Sequence, residues 1–194
     1  MYNPSGDKMS IRQRLGVPEI AARGHLLEED AFGTPNMRKS NPNASLDKRR
    51  AELVALWDRT PSRHENDPRM SFQDALALAL VSTPLSEQTN PKKDTTKSLR
   101  EVISKRVNLK NPEQARVVPA AETPLDFHGV DGLFIINGIP VTVDVSFRRK
   151  EKIGAGKADF YLHGSVSANN REGWLDVVSK KIIGAIPTPH PIKR

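Results

Sequence analysis

The sequence predicts an α+β (or α/β) fold in which a mixed β-sheet with a central β-hairpin is flanked by helices. Two runs rich in β-branched residues are separated by Asn137-Gly138, and both of these residues tolerate the positive φ angles of a tight hairpin turn. Apolar residues at helical spacing lie before and after these runs, which predicts the flanking helices. A proline-rich, polar beginning predicts an extended N-terminal arm in front of the sheet.

The composition of the 194-residue chain excludes several classes of protein. It contains no cysteine, so disulfide scaffolds, thiolate metal sites and cysteine nucleophiles are excluded. No apolar run is long enough to span a bilayer and no signal peptide is recognised, so we expect a cytoplasmic or virus-associated protein without a membrane partner. The formal net charge of +7 favours a polyanionic partner, with nucleic acid as the first candidate.

Residues 1–70 are predicted to form a largely irregular N-terminal arm. Six prolines and several polar stretches interrupt this region, so it cannot bury enough apolar surface to offset its chain entropy. One helix is predicted over about 46–59, because Ser45 can cap an apolar-periodic run that ends before Pro61. We expect residues 1–44 to become ordered against another surface, such as a protein partner, and the oligomeric state stays open.

Residues 71–186 are predicted to form an α/β core, followed by an extended tail over 187–194. Side chains that can accept from backbone N–H groups mark the helix starts, and prolines mark the ends. The predicted elements are, in order, a helix from Ser71 to Pro84, a polar loop over 86–94, a helix from Thr95 or Thr96 to Asn111, irregular chain over 112–125 with an optional strand over 115–118, the hairpin within 130–148, a strand over 158–166 and a helix capped by Asn170.

The turn sets the register of the hairpin, because the residues on either side of a two-residue loop must pair. Counting outward from Asn137-Gly138 places Asp131 opposite Asp144, on the sheet face opposite to Phe134. This pair is predicted to be of the non-hydrogen-bonded type, with Cβ atoms about 4.5–5.5 Å apart. Two carboxylates this close repel, and a hard divalent cation such as Mg²⁺ or Mn²⁺ removes the repulsion. These two aspartates are therefore candidate metal ligands.

A structural interpretation of the same aspartates stays open. Asp131 can simply begin a strand, and Asp144 can form an ion pair with Arg148 or Arg149. Aspartates at the ends of sheets are ordinary, whereas facing acids within β-branched strands are unfavourable without a compensating charge. The metal-binding and structural interpretations are therefore both kept.

The hairpin segment resembles the core of the PD-(D/E)XK, restriction-endonuclease-like superfamily. The similar features are a strand that opens with Gly-x-Asp, a tight hairpin and a second strand that carries Asp-x-Ser. The resemblance covers roughly residues 95–185, and it implies that Asp131 and Asp144 are the two motif acids that hold Mg²⁺ or Mn²⁺. It further implies that the helix before the hairpin is the first core helix, with Glu101 as an additional acid. The implied activity is that of a metal-dependent endonuclease, a hydrolase acting on DNA.

Two positions depart from the motif of this superfamily. Ser146 occupies the position of the motif lysine, and Val130 occupies that of the motif proline. Serine cannot supply the fixed positive charge that stabilises the reacting phosphate or orients the attacking water. Arg148 and Lys150 have the same strand parity as Ser146, so either is a candidate replacement, and all three are candidate catalytic residues.

The densest basic segment of the chain follows the second hairpin strand and is a candidate contact for nucleic-acid phosphates. Its members are Arg148, Arg149, Lys150, Lys152 and Lys157. DNA is the expected partner, with RNA left open. The alternative function is that of a non-catalytic nucleic-acid-binding or assembly protein, such as a viral or phage structural protein, built on a degenerate nuclease-like fold. The long arm ahead of a small core favours this alternative.

Overall fold

The structure, a computed structural model, describes residues 31–62, 67, 69–146, 158–163 and 171–186. Within these residues the chain forms five α-helices and one four-stranded β-sheet. In chain order they are α1 (Ala44–Arg59), α2 (Phe72–Ser82), α3 (Leu85–Thr89), α4 (Asp94–Arg106), β1 (Ala115–Pro119), β2 (Gly132–Ile136), β3 (Ile139–Ser146), β4 (Phe160–His163) and α5 (Arg171–Gly184). The predicted α+β class, with a mixed sheet and a central hairpin between helices, is confirmed.

The sheet has the strand order β1-β2-β3-β4. The first three strands form an antiparallel meander, and β4 pairs with β3 in the parallel direction. The predicted hairpin register is confirmed, with Ile136 paired to Ile139 and Gly132 paired to Val143. Asn137-Gly138 form the turn with φ angles of 52° and 83°, the left-handed values that a tight hairpin requires.

Helices cover both faces of the sheet, so the sheet is the middle layer of three. On one face, Phe134 and Val143 pack with apolar side chains of α4 and α5. On the other face, Leu133 and Ile135 pack with apolar side chains of α1 and α2. All five residues of β2 are buried as a result. The face that carries Asp144 therefore lies inside the protein.

The segment 31–43 packs against the core, although the sequence predicted it to be part of an arm. The Phe32 side chain is buried, and its ring meets the ring of Phe134 edge-on with centroids 5.9 Å apart. The same ring lies over Gly132, where an added Cβ atom would be 2.3 Å from Phe32 Cδ1. Gly132 therefore allows an aromatic ring to approach the backbone of the central hairpin.

Helix α1 also belongs to the core. Its Leu53 and Val54 are buried in the apolar cluster that includes α2 and one face of the sheet. Most of the stability of a helix in a protein comes from packing of its apolar face, so the core begins well before the predicted boundary at Ser71. Residues 1–30 of the predicted arm and the predicted tail over 187–194 lie outside the described residues.

Hydrogen bonds join the segment before α1 to the first turn of that helix. Asn43, rather than the predicted Ser45, is the N-cap residue. The Asp47 carboxylate accepts from the N–H of Asn41 at 2.7 Å and from Nε of Arg50 at 2.9 Å. These bonds, above all the one from Asn41, hold the pKa of Asp47 below its ordinary value.

Several element boundaries differ from the predictions. Helix α3 begins at Leu85 and occupies the first part of the polar loop predicted for 86–94, and α4 begins one or two residues before the predicted start at Thr95 or Thr96. The optional strand over 115–118 is present as β1, and the predicted strand over 158–166 contains the shorter β4. Residues 164–166 and the predicted cap Asn170 lie outside the described residues.

Gly132→Ala should lower the free energy of unfolding by about 1–3 kcal/mol, because the new methyl group overlaps the Phe32 ring. In a Phe32→Leu background the same change should cost much less, since the ring is gone. Urea unfolding of the four proteins of this double-mutant cycle measures the coupling. Strictly additive effects would show that Phe32 does not pack on Gly132 in solution.

Asp47→Asn should lower the free energy of unfolding near neutral pH. The folded pKa of Asp47 is depressed, so its contribution is present above the ordinary value of 3.8 and is lost as the pH falls through the lower folded pKa. Urea unfolding of both proteins across the acid range should therefore show a stability difference that shrinks on acidification. A difference that grows on acidification would contradict this assignment.

Candidate functional site

Asp131 and Asp144 lie at the same end of the hairpin and are both buried, with 4% and 5% exposure. Asp144 is part of β3, whereas Asp131 occupies a bend immediately before β2. A short 3-10 turn ends at Gly129, whose φ of 77° reverses the chain before the buried Val130. This reversal delivers Asp131 to the edge of the hairpin.

The backbone of Asp131 does not continue the regular ladder of the hairpin. The paired register ends at Gly132 and Val143, one pair short of the predicted Asp131–Asp144 pair. The N–H of Asp131 donates to the carbonyl of Val143 at 2.8 Å, while its carbonyl accepts from the N–H of Ala120 at 2.8 Å. The N–H of Asp131 thus points toward β3 and its carbonyl toward the chain that follows β1. In a regular strand, the N–H and carbonyl of one residue point to the same neighbour. The bend before β2 is the reason that the predicted facing pair is absent from the ladder.

The side chain of Asp131 takes over the role of a missing backbone acceptor. Its Oδ2 accepts from the N–H of Val145 at 2.6 Å, a group that a longer β2 would have bonded through its backbone. The bond is buried and charge-assisted, which is the stronger kind of hydrogen bond. Since Val145 directly follows Asp144, this bond also brings the carboxylate of Asp131 next to the backbone of Asp144.

A third aspartate, which the sequence analysis missed, does the same on the opposite side of β3. Asp159 lies immediately before β4, and its Oδ2 accepts from the N–H and the hydroxyl of Thr142, at 2.8 Å each. The Thr142 hydroxyl in turn accepts from the N–H of Asp159 at 2.9 Å. The available signal was an aspartate directly before the first aromatic residue of a predicted strand. Unlike Asp131, this residue is exposed.

All five basic residues that the sequence predicted for the site fall outside the described residues. They are Arg148, Arg149, Lys150, Lys152 and Lys157. Ser146 is the last residue of β3, and its side chain is not among the described parts of the structure. Glu101 is exposed on α4, which packs on the sheet face opposite to that of Asp144. Asp131 and Asp144 therefore lie at the same end of the hairpin, whereas Glu101 lies on a helix at the other face of the sheet.

His128, which precedes Asp131 by three residues, has a structural environment. Its Nε2 lies 3.1 Å from the carbonyl oxygen of Met70. Its ring meets the ring of Phe72 edge-on, with centroids 5.6 Å apart. These contacts hold the loop before β2 against the start of α2.

The two carboxylates of the site are donors that suit a hard cation. Mg²⁺ is commonly held by one or two carboxylates together with water and substrate phosphates. Asp131 and Asp144 supply two buried carboxylates, and one oxygen of Asp131 already accepts from Val145. Across the described ranges, no group of three or more histidine, aspartate or glutamate side chains is arranged to hold a metal ion. Ligands beyond these two carboxylates would be water, phosphate or protein groups from the chain after β3.

Comparison with known protein families, with curated proteins and with solved structures finds no match for this chain. Among the described helices, none combines the length and the apolar character needed to cross a membrane. The functional assignment thus depends on the residues of the site.

Asp131→Ala should lower the free energy of unfolding by about 1–3 kcal/mol, because it leaves the buried N–H of Val145 without an acceptor. Asp131→Asn should cost less, since its side-chain oxygen can still accept. Asp144→Asn is the matched comparison at the other buried carboxylate and should cost less than Asp131→Ala, because it leaves the N–H of Val145 with its acceptor. Denaturant unfolding measures all three. Equal costs for the alanine and asparagine variants would contradict the role given to the Asp131 carboxylate.

Proposed function

We propose that this protein is a nuclease that hydrolyses phosphodiester bonds in DNA with Mg²⁺ or Mn²⁺ held by Asp131 and Asp144. The observation that carries the proposal is the pair of buried carboxylates at one end of the hairpin. Carboxylates brought together in this way are the ligands that a hard divalent cation takes, with water and substrate phosphates completing its coordination. The proposal also draws on the resemblance of the hairpin segment to the PD-(D/E)XK superfamily, which implies the same two acids as metal ligands.

A bound metal would neutralise charge on the scissile phosphate and generate hydroxide from water. The protein would hold its two ligands on rigid elements, since Asp144 is part of β3 and Asp131 is fixed by the N–H of Val145. Ser146 stands in place of the motif lysine and cannot supply its charge. We infer that Arg148 or Lys150 provides this charge beside the reacting phosphate.

DNA binding is assigned to the basic segment that follows β3. Its five basic residues, Arg148, Arg149, Lys150, Lys152 and Lys157, would contact backbone phosphates. Such contacts release counterions, so affinity should fall steeply as the salt concentration rises. The net charge of +7 supports a polyanionic partner.

Two observations favour a second candidate, a non-catalytic protein that binds nucleic acid or belongs to a viral or phage assembly. The carboxylate of Asp131 already has a structural role toward Val145, and a serine occupies the position of the motif lysine. Both features are expected of a nuclease-like fold that has lost its activity. Such a protein would keep the fold and the basic segment and would act in the cytoplasm or within a virus particle.

Nicking of supercoiled plasmid DNA in Mn²⁺ separates the two candidates. The wild type should nick, and Asp144→Asn should abolish nicking while DNA binding survives, because a neutral amide is a poor ligand for a hard cation. Asp159→Asn is the matched control, since it changes the same functional group on the other side of β3 and should keep nicking. Mn²⁺ should also raise the melting temperature of the wild type and of Asp159→Asn, but not that of Asp144→Asn.

Absence of nicking in the wild type would favour the non-catalytic candidate. In that case Ser146→Lys restores the missing charge, and a gain of cleavage would identify a disarmed nuclease fold. If neither protein cuts and Asp144→Asn lowers stability by more than about 1 kcal/mol, Asp144 is a structural residue and the catalytic proposal fails.

A further inference from the structure

A cavity of about 380 Å³ lies on the β1 side of the sheet, between the segment that precedes α1 and the chain around α3. Its apolar part includes the half-buried Pro35, Pro84 and Pro119 together with the buried Phe32 and Val117. Its volume lies within the range of small-molecule sites. Neither Asp131 nor Asp144 lines it, so it is separate from the proposed nuclease site.

The charged residues of this cavity are Lys39, Lys92, Lys93 and Glu87, which leaves an excess of two positive charges. Oε1 of Glu87 lies 3.6 Å from Nζ of Lys39 and 3.4 Å from Nζ of Lys92. The lysine side chains are 61% and 75% exposed, and exposed ion pairs contribute little to stability. The two ammonium groups can therefore exchange Glu87 for an anionic ligand at small cost.

Lys93 is positioned over the same cavity by a glycine. Gly33 has a φ of 79°, and an added Cβ atom there would lie 3.3 Å from Cε of Lys93. The alkyl stem of Lys93 thus packs over the backbone of the segment before α1. The three lysines come from two separate parts of the chain and converge on one opening.

We propose that this cavity binds a small organic phosphate monoester. At neutral pH such a group carries a charge between about −1.5 and −2, which matches the excess of two positive charges. Phosphate oxygens would accept from Lys39 and Lys92, while the organic part would pack on the half-buried Pro35, Pro84 and Pro119. The phosphate would thus be recognised by charge-assisted hydrogen bonds and the organic part by apolar contact.

Titration of the ¹⁵N-labelled protein with phenyl phosphate, followed by amide chemical shifts, tests this proposal. The shifts should concentrate in residues 33–39 and 82–93, and phenyl phosphate should bind more tightly than inorganic phosphate. Phenol, which lacks the charge, should cause no comparable shifts. Equal affinity for phenol or for inorganic phosphate, or shifts centred on 131–146, would overturn the proposal.

Variants that change the charge of the cavity provide a second test of the proposal. Lys92→Met should weaken phenyl phosphate binding by about tenfold, the size of one charge-assisted contact. Glu87→Gln should strengthen binding, because it removes the like charge that competes for the lysines. Unchanged affinity in both variants would overturn the proposal.

Discussion

The length of β3 relative to its neighbours is the constraint on which the rest of this structure depends. It has eight residues, whereas β2 has five and β4 has four, so each neighbour leaves part of its backbone unpaired. Buried N–H groups without acceptors are strongly unfavourable. Two aspartates meet this need, each immediately before a neighbouring strand: Asp131 accepts from Val145, and Asp159 accepts from Thr142. The ends of the sheet are thus completed by side chains where strands stop.

This constraint explains why an acidic residue is buried at the end of the hairpin. The N–H of Val145 keeps Asp131 inside the protein, and helices on both faces of the sheet bury Asp144 beside it. A carboxylate that is needed to complete a sheet can also be a metal ligand, because a hydrogen bond to one oxygen fixes its orientation. The structural and catalytic interpretations of Asp131 are therefore compatible. The catalytic interpretation additionally requires that Asp144 and the segment after β3 complete a cation site, which the structural interpretation does not.

Local patterns of the sequence predicted the elements that local chemistry determines. Asn137-Gly138 predicted the turn and hence the hairpin register, because positive φ angles at both positions depend on those two residues alone. The docking of Phe32 on Gly132 depends on contacts between residues one hundred positions apart, and a single aromatic residue in a polar stretch has no periodicity to reveal it. The roles of Asp131 and Asp159 escaped prediction for a related reason, since they follow from where neighbouring strands end. Element ends are set by tertiary packing and bends rather than by periodicity.

The most direct test of the central claim is a crystal structure grown with Mn²⁺, with diffraction data collected at the manganese absorption edge. We expect an anomalous peak between the carboxylates of Asp131 and Asp144, with the N–H of Val145 still donating to Asp131. The remaining ligands should be water or protein groups from the chain after β3. Ordered carboxylates in the same positions with no anomalous peak between them, at a saturating Mn²⁺ concentration, would contradict the claim that they form a cation site.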